Sequence, residues 1–523
     1  MKKGLSRKAF LAGTGALALA GAGGFGGYRY WSRGSAYPVS GLADIADDYA
    51  FDVCVIGSGP AGVCLGLDLV AAGFRTLVVE SGRTVSDLMS DARYLDLEYY
   101  GNSGSIFYPT QTTRVRALGG TSNIWTGRCS RLHPIDFEIN AYTPEGSAWP
   151  IDYAELEPYY ARAEQTLRVR GGELSTFQAP RSGPLPLAPE RGIDGLRAYM
   201  ESLGVTVDDS PTSASRENPD QPVRVADDLL PDFARHPLGT LLAGSTVTRL
   251  EMDDSGRVTG AVAQDLDRRT RRLRAGIFVI ACGAIESARL LLLSTSAGFP
   301  AGLGNNTDLV GKYFGEHPNL SFRGRIQQPP ASLSRQAEMG RCHQYYASLK
   351  REGFGSAILK FAHGRIKDDQ ALNFRVGATM EMQPVASNRI SLDPSERDYF
   401  DQPVANVALS FSRADESTLD AIRALTNELY ASMGATDVQE IEQSWSHHHI
   451  GTCRMGATPQ AGVVDGDLLL HGSENLFVLG SAVFVTGGAS HPTLTIVALA
   501  HRLAESIARR VSPAATEEAG AVS

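Results

Sequence analysis

Residues 51–82 read FDVCVIGSGPAGVCLGLDLVAAGFRTLVVESG, and this stretch decides the fold. Residues 51–56 form a short, β-branched, apolar run, the pattern of a buried parallel strand. Gly57, Gly59 and Gly62 follow as G-x-G-x-x-G. One glycine serves a tight turn, one lets the backbone approach a pyrophosphate, and one lets a helix pack on the strand. Residues 61–72 take helical spacing, and the N-terminus of that helix offers N–H groups to phosphate. Gly73 closes the helix, and residues 76–79 give a second strand. Glu80 ends it, about 20 residues beyond the triplet, where an acid accepts a ribose hydroxyl. A glycine triplet alone is weak evidence for anything beyond a turn. Strand, triplet, helix, strand and acid together specify a dinucleotide-binding unit.

At 523 residues the chain exceeds one ordinary core, which predicts two domains or one large elaborated unit. A hydrophobic share of 43%, a charged share of 20% and 55 glycines suit a loop-rich α/β enzyme. A net charge of -9 and a pI near 5.7 argue against nucleic-acid binding, which needs a cationic face. The one basic cluster, Arg268, Arg269, Arg271, Arg272 and Arg274, runs into apolar residues 277–281 and reads as the solvated part of a hairpin strand. Six scattered cysteines make no disulfide framework, and Cys54 and Cys64 read as small core residues. No C-x-x-C occurs, so neither a haem attachment site nor a zinc ribbon is encoded.

The N-terminus differs in kind. Lys2, Lys3, Arg7 and Lys8 precede a weakly apolar Ala/Gly/Leu run at 9–27, too short and glycine-rich for a spanning helix. Ser6-Arg7-Lys8-Ala9-Phe10-Leu11 resembles a twin-arginine export signal with lysine in the second arginine's place. Residues 1–35 are therefore expected to be an export signal or anchor, giving a periplasmic or membrane-associated protein whose only membrane contact is this segment. The alternative is a cytoplasmic tail.

Residues 81–116 read as irregular and polar, and 117–133 as a glycine-led loop with a buried-type Trp125. Trp149-Pro150-Ile151-Asp152 breaks the chain before an amphipathic helix at 153–167. Residues 170–221, rich in Pro, Ser and Gly, look like an excursion or lid rather than core. Ser245–Met252 and 257–265 form a hairpin about Asp253-Asp254-Ser255-Gly256. A buried strand at 277–281 and a helix at 285–293 repeat the grammar of the first unit. Between 323 and 413, strand-like segments 357–361, 378–384, 389–392 and 404–411 follow one another without crossover helices, which predicts an antiparallel second domain. A helix at 417–433, a buried strand at 475–480 and a long helix at 493–511 carrying Ile496, Leu499, Leu503 and Ile507 complete the pattern. The domain plan is thus a discontinuous nucleotide domain of 48–170, 222–322 and 445–512. To it are added an excursion at 171–221, a substrate domain at 323–444 and a disordered tail at 513–523.

Two histidine sites stand out for chemistry. His447, His448 and His449 open the glycine turn HHHIGTCRMG, and His491-Pro492-Thr493-Leu494-Thr495 sits where a loop becomes the last helix. Proline favours the first helical position, so His491 lies at or beside the N-cap, with the N–H groups of Thr493 and Leu494 facing the loop mouth. Histidines beside a redox cofactor take and hold a substrate proton. The competing readings are a metal site or plain loop for the triple histidine, and a capping residue for His491. Three adjacent residues do not all face one metal, so metal ranks low.

Taken together, the chain resembles the glucose–methanol–choline (GMC) oxidoreductases. The resemblance rests on Gly57 to Gly62 with Glu80, on Gly119-Gly120-Thr121-Ser122-Asn123-Ile124-Trp125-Thr126-Gly127, and on Trp149-Pro150-Ile151. It continues through Ala284-Ile285-Glu286-Ser287-Ala288-Arg289, Phe314-Gly315-Glu316-His317-Pro318, the His448 turn and the His491 motif. The look is that of bacterial sugar and polyol dehydrogenases and pyranose oxidases. It implies an α/β fold in which a Rossmann-like FAD domain carries a mainly antiparallel substrate domain. It also implies FAD contacts from Gly57, Gly59, Gly62, Glu80, Gly119, Gly120, Thr121, Ser122, Asn123, Val247, Ala281, Gly480, Ser481, Pro492 and Thr493. His448 becomes the catalytic base, three residues before the glycine of Gly451-Thr452, and His491 its partner. Ile124 stands where some relatives attach the flavin through histidine, so the expected FAD is non-covalent. The implied reaction oxidises an alcohol or sugar hydroxyl, with proton abstraction by His448 and hydride transfer to flavin N5. A separate cytochrome or quinone-type partner is expected to take the electrons. The alternatives are an oxygen-using oxidase that releases peroxide and a flavin-holding lyase on the same fold.

Overall fold

The computed structural model describes residues 37–511, apart from 47–48, 144–147, 173, 188–192, 332, 334–338 and 366–370. The expected export segment at 1–35 and disordered tail at 513–523 lie outside the described residues.

In chain order the first half contains β1 (Ala50–Ile56), α1 (Pro60–Ala71), β2 (Thr76–Glu80), α2 (Val85–Ser90), α3 (Ala92–Asp96), β3 (Gly101–Ser103), α4 (Tyr153–Thr166), α5 (Asp194–Ser202), α6 (Val225–Asp228) and α7 (Leu230–Arg235). Then come β4 (Gly239–Ala243), β5 (Ser245–Met252), β6 (Val258–Asp265), β7 (Thr270–Ile280), α8 (Gly283–Leu293), β8 (Pro318–Ile326), β9 (Met339–Cys342), α9 (Gln344–Arg351), β10 (Ala357–Arg365) and β11 (Leu372–Met380). The chain ends with β12 (Arg389–Arg397), β13 (Pro403–Ala408), α10 (Arg413–Ser432), β14 (Thr436–Trp445), β15 (Leu476–Val478) and α11 (Pro492–Arg510).

The seven-stranded sheet runs β4-β2-β1-β7-β6-β5, with β15 also on β7. Strands β4, β2, β1, β7 and β15 pair in parallel, while β5, β6 and β7 form an antiparallel meander. Val53, Cys54, Val55, Leu77, Val78 and Val79 are buried, because helices cover the parallel part and α1 packs against α11. This places the ends of β1, β2 and β7, and the turns after them, along one edge.

The second sheet, β14-β8-β11-β10-β9, is wholly antiparallel. One face buries Leu320, Phe322, Leu359, Phe361, Phe374 and Val376 with Leu419, Ile422 and Tyr430 of α10. The Ser412–Asp415 capping box starts that helix. The opposite face, carrying Asn319, Arg341 and Lys360, turns toward the first sheet.

Five expectations are corrected. Strands β12 and β13 do not join the antiparallel sheet; they pair with β3 in a separate three-stranded sheet. Ile390, Ala405 and Val407 there are buried in the first core, because α8 offers them an apolar face. The antiparallel sheet instead recruits β8, which straddles the start of the 323–413 window, and β14, which lies beyond its end after α10, and β11 starts at Leu372 rather than 378. The segment read as an excursion buries Leu196, Met200, Val205 and Val207 in the second core. Residues 81–116 hold α2 and α3, started by the Thr84–Asp87 capping box and by the Asp91 cap. Trp125 is half-buried, its indole N–H donating to the Val223 carbonyl at 2.7 Å.

Candidate active site

A cavity of about 510 Å³ runs from the turns after β1 and β2 to the inner face of the antiparallel sheet. At its first end the glycines do separate jobs. Gly57 has φ +113°, and a Cβ there would lie 2.5 Å from the Ala281 carbonyl oxygen, so only glycine lets β1 and β7 end this close. A Cβ at Gly62 would strike the Gly57 carbonyl, which fixes how tightly α1 sits on β1. Gly59 is the N-cap of α1; a Cβ there would meet nothing within 4 Å, so the helix start opens on the cavity. Glu80 is only 7% exposed. Its Oε2 accepts from the Ser58 N–H at 3.0 Å and hydroxyl at 2.7 Å, and its Oε1 from the Gly82 N–H at 3.0 Å. Burial raises its carboxyl, while these donors oppose the rise.

Of the residues predicted to hold the dinucleotide, Gly57, Gly59, Glu80, Gly120, Thr121 and Ser122 line the cavity. So do Val247, Ala281, Gly480, Ser481, Pro492 and Thr493. Gly62, Gly119 and Asn123 stand behind the wall. Asn123 Nδ2 ties the loop together by donating to the Leu118 and Gly120 carbonyls, and the Gly119 N–H reaches Ser58 Oγ at 3.3 Å. The cradle therefore has an open helix N-terminus, a buried acid at the end of β2 and a closely packed glycine turn. That donor set fits a dinucleotide. Ile124, also on the wall, has no nucleophile to offer one.

Beyond Ile124 lies a paired charge cluster. Arg114 and Arg116 bond Glu98 at 2.9 Å each, Arg116 bonds Glu286 at 3.2 Å, and Arg289 bonds Asp398 at 2.6 Å. Burial pushes the Glu286 carboxyl up, but Arg116, Arg289 and Arg114 outweigh it and hold the group down at about 2.

At the other end, β14 delivers the histidines. His447 adopts φ +65°, a left-handed turn that sends successive rings in different directions. His449 Nε2 bonds the Tyr108 hydroxyl at 2.7 Å and Thr113 Oγ1 at 3.1 Å. The His448 N–H donates to Glu316 Oε1 at 2.7 Å, while its ring Nδ1 lies 2.9 Å from Nδ1 of His317. One of those two nitrogens carries the shared proton, leaving Nε2 of His448 for the cavity that the residue lines. His491 is the N-cap of α11 yet makes no side-chain cap bond; its Nδ1 is buried and without a partner. The His448 and His491 rings are 5.4 Å apart, centroid to centroid. Burial, His317 and Lys360 hold His448 well below the usual histidine range, and burial, Arg341 and His448 do the same to His491. Glu316 is fully buried and pushed up to about 7.

Sequence reasoning missed three residues of this end. His317 entered only as part of a motif, and Arg341 and Lys360 not at all. The signal for Lys360 was present: a charge in the middle of the apolar run AILKF marks an inward-facing polar position.

A GMC oxidoreductase family model matches residues 384–500. Paromamine 6'-oxidase of Streptomyces fradiae is 29% identical, covering 88% of this chain and 92% of its own. Fructose dehydrogenase large subunit of Gluconobacter japonicus is 25% identical, covering 87% and 97%. The solved structure of pyridoxine 4-oxidase from Mesorbium loti superposes with a TM-score of 0.61 at 19% identity, covering 88% of this chain and 99% of that one.

Proposed function

The chain belongs to the GMC oxidoreductase family, and from that premise we propose that it oxidises an alcohol or sugar hydroxyl to a carbonyl, with His448 taking the hydroxyl proton. FAD is typical of the family. The cradle of Gly57, Gly59 and Glu80 would hold its adenosine and pyrophosphate. Thr121, Ser122, Ile124 and the start of α11 would flank its rings, without a covalent bond. Bound FAD would supply the acceptor for the hydride that leaves the carbinol carbon.

An alcohol O–H does not ionise unaided at neutral pH, so a base must take the proton as the C–H bond breaks. His448 is suited to this because its surroundings keep it unprotonated before substrate arrives. The Nδ1–Nδ1 bond to His317 fixes the ring, and in the tautomer in which His448 donates that bond its Nε2 is free to accept. His491, beside it, orients the same oxygen. The first N–H groups of α11 favour negative charge developing near Thr493 and Leu494.

The observation that carries this reading is the pair of imidazoles 5.4 Å apart at the end of the same cavity as the dinucleotide cradle. Anaerobic mixing of the purified yellow protein with alcohols and sugars tests it. Substrate should bleach the flavin, and His448→Ala should keep the flavin but slow bleaching. Turnover without bleaching would instead indicate the lyase reading. Electrons are proposed to pass to a quinone or cytochrome-type acceptor, in keeping with the export expected from the signal-like residues 6–11. The oxidases among the relatives support oxygen as the competing acceptor. Peroxide release measured against quinone reduction separates the two.

A further inference from the structure

The cavity wall carries two sets of cations, and among the described residues carboxylates face Arg114, Arg116 and Arg289 but not Arg341 and Lys360. Arg114, Arg116 and Arg289 face Glu98, Glu286 and Asp398 at 2.6 to 3.2 Å. On the antiparallel sheet, Arg341 of β9 and Lys360 of β10 stand directly opposite each other in register. Their side chains therefore leave the same face, the one opposite Leu359, Phe361 and Cys342, and both line the cavity with His448 and His491. Like charges opposite one another on a sheet repel. Lys360 Nζ donates to Asn319 Oδ1 at 2.8 Å, a neutral group. Arg341 Nη1 is buried with no hydrogen-bond partner. Among the described residues neither cation has a carboxylate in ion-pair range. Arg128, whose Nη1 donates to Thr212 Oγ1 at 3.0 Å, adds further positive charge to the wall. The strain shows in the ionisation: burial and Arg128 hold Arg341 down to about 9, and burial, Arg341 and Arg128 hold Lys360 down to about 7.

A buried guanidinium with an empty donor position and an opposing ammonium is a costly arrangement unless something anionic completes it. We propose that the alcohol oxidised at His448 carries an anionic group, a carboxylate or a phosphate monoester, received by Arg341 and Lys360 while the hydroxyl faces the two imidazoles. The inference rests on the oxidation reading above and adds the substrate class. The planar fork of arginine matches the two oxygens of either anion, whereas a neutral polyol leaves the fork unpaired.

The test uses the FAD-loaded enzyme and matched alcohols: glucitol against gluconate, galactose against galacturonate, glucose against glucose 6-phosphate. Anaerobic flavin reduction gives kcat/KM for each, and glutarate and inorganic phosphate, which have no carbinol, report binding alone through the melting temperature. The anionic member of the carboxylate or the phosphate arm should exceed its neutral partner by about 10- to 100-fold, the weight of a charged hydrogen bond. Arg341→Gln should collapse that ratio and Arg341→Lys keep part of it, and the stabilisation by glutarate or phosphate should disappear in Arg341→Gln. Neutral alcohols that reduce the flavin as fast as anionic ones, with no anion bound, would overturn the proposal and leave the oxidation reading standing. Arg341-dependent anion binding without flavin reduction by any alcohol would overturn the oxidation reading, and the substrate class with it, and leave only an anion site. Loss of FAD from Arg341→Gln, with the ratio unchanged on reconstitution, would assign these cations to the cofactor and also overturn the proposal.

Discussion

In the proposed reaction His448 acts as base only while its ring is both neutral and fixed. Because burial, His317 and Lys360 lower its pKa, the limiting rate of flavin reduction at saturating substrate should be level from about pH 6.5 upward and fall only in more acid solution, where the proposed base becomes protonated. His448→Ala should slow reduction by about 10²–10⁴-fold at unchanged flavin content. Stopped-flow traces across pH 5–8 check both. His317 touches no substrate in this scheme; it positions His448 through the 2.9 Å bond between their Nδ1 atoms. His317→Leu should therefore slow reduction by about tenfold and move the acid limb upward, since a neighbour that opposes protonation is gone; His317→Asn should recover part of the rate. An unmoved limb would reduce His317 to a packing residue. The two imidazoles could be picked from the chain because each begins a recognisable turn. His317 could not, since a histidine before proline says nothing of a partner 131 positions away.

Among elements, β1, α1, β2 and α11 were legible because strand and helix periods alternate there without ambiguity. The same alternation in β12 and β13 misled, because period two says that a strand is half-buried, not which sheet receives it; the face of α8 made that choice. Parity also hides the role proposed for β10: Leu359 and Phe361 point into the core and Lys360 points away, but what it points at belongs to another part of the chain. With Lys360 near 7, its charge is present below that pH and lost above it. The kcat/KM for an anionic alcohol, which reports the free enzyme, should thus fall as pH rises through about 7, while that for a neutral alcohol does not. Lys360→Met should remove this alkaline limb. In α1, Gly62→Ala would drive a methyl group into the Gly57 carbonyl. It should cost about 1–3 kcal/mol and lower the flavin-to-protein ratio, measurable by denaturation and absorbance on the same sample.

Across the whole molecule, the two sheets must hold fixed positions if a base on one side of the cavity is to meet a substrate held from the other. A buried charge cluster joins them. Lys350 of α9 donates to Asp136 Oδ1 at 2.6 Å and to Glu381 Oε1 at 3.0 Å, all three side chains being wholly buried. The Tyr346 hydroxyl donates to Asp136 Oδ2 at 2.7 Å, and the Gly488 N–H reaches Glu381 Oε1 at 3.2 Å. Asp136 and Gly488 come from the nucleotide side of the chain, while Lys350 and Glu381 flank the antiparallel sheet. Gly488 lies three residues before His491, and Ser490 Oγ donates to the Arg131 carbonyl at 2.8 Å, so the cluster also fixes the approach to the last helix. Replacing Lys350 by methionine leaves two buried carboxylates without their cation and should cost about 3–5 kcal/mol. Adding Asp136→Asn and Glu381→Gln to Lys350→Met should recover much of that loss, because the uncompensated charge is then gone. If the cluster joins the halves, flavin release and tryptophan fluorescence should change together on denaturing the wild type and separate in Lys350→Met. Coincident transitions in both proteins would mean that apolar packing alone holds the sheets in register.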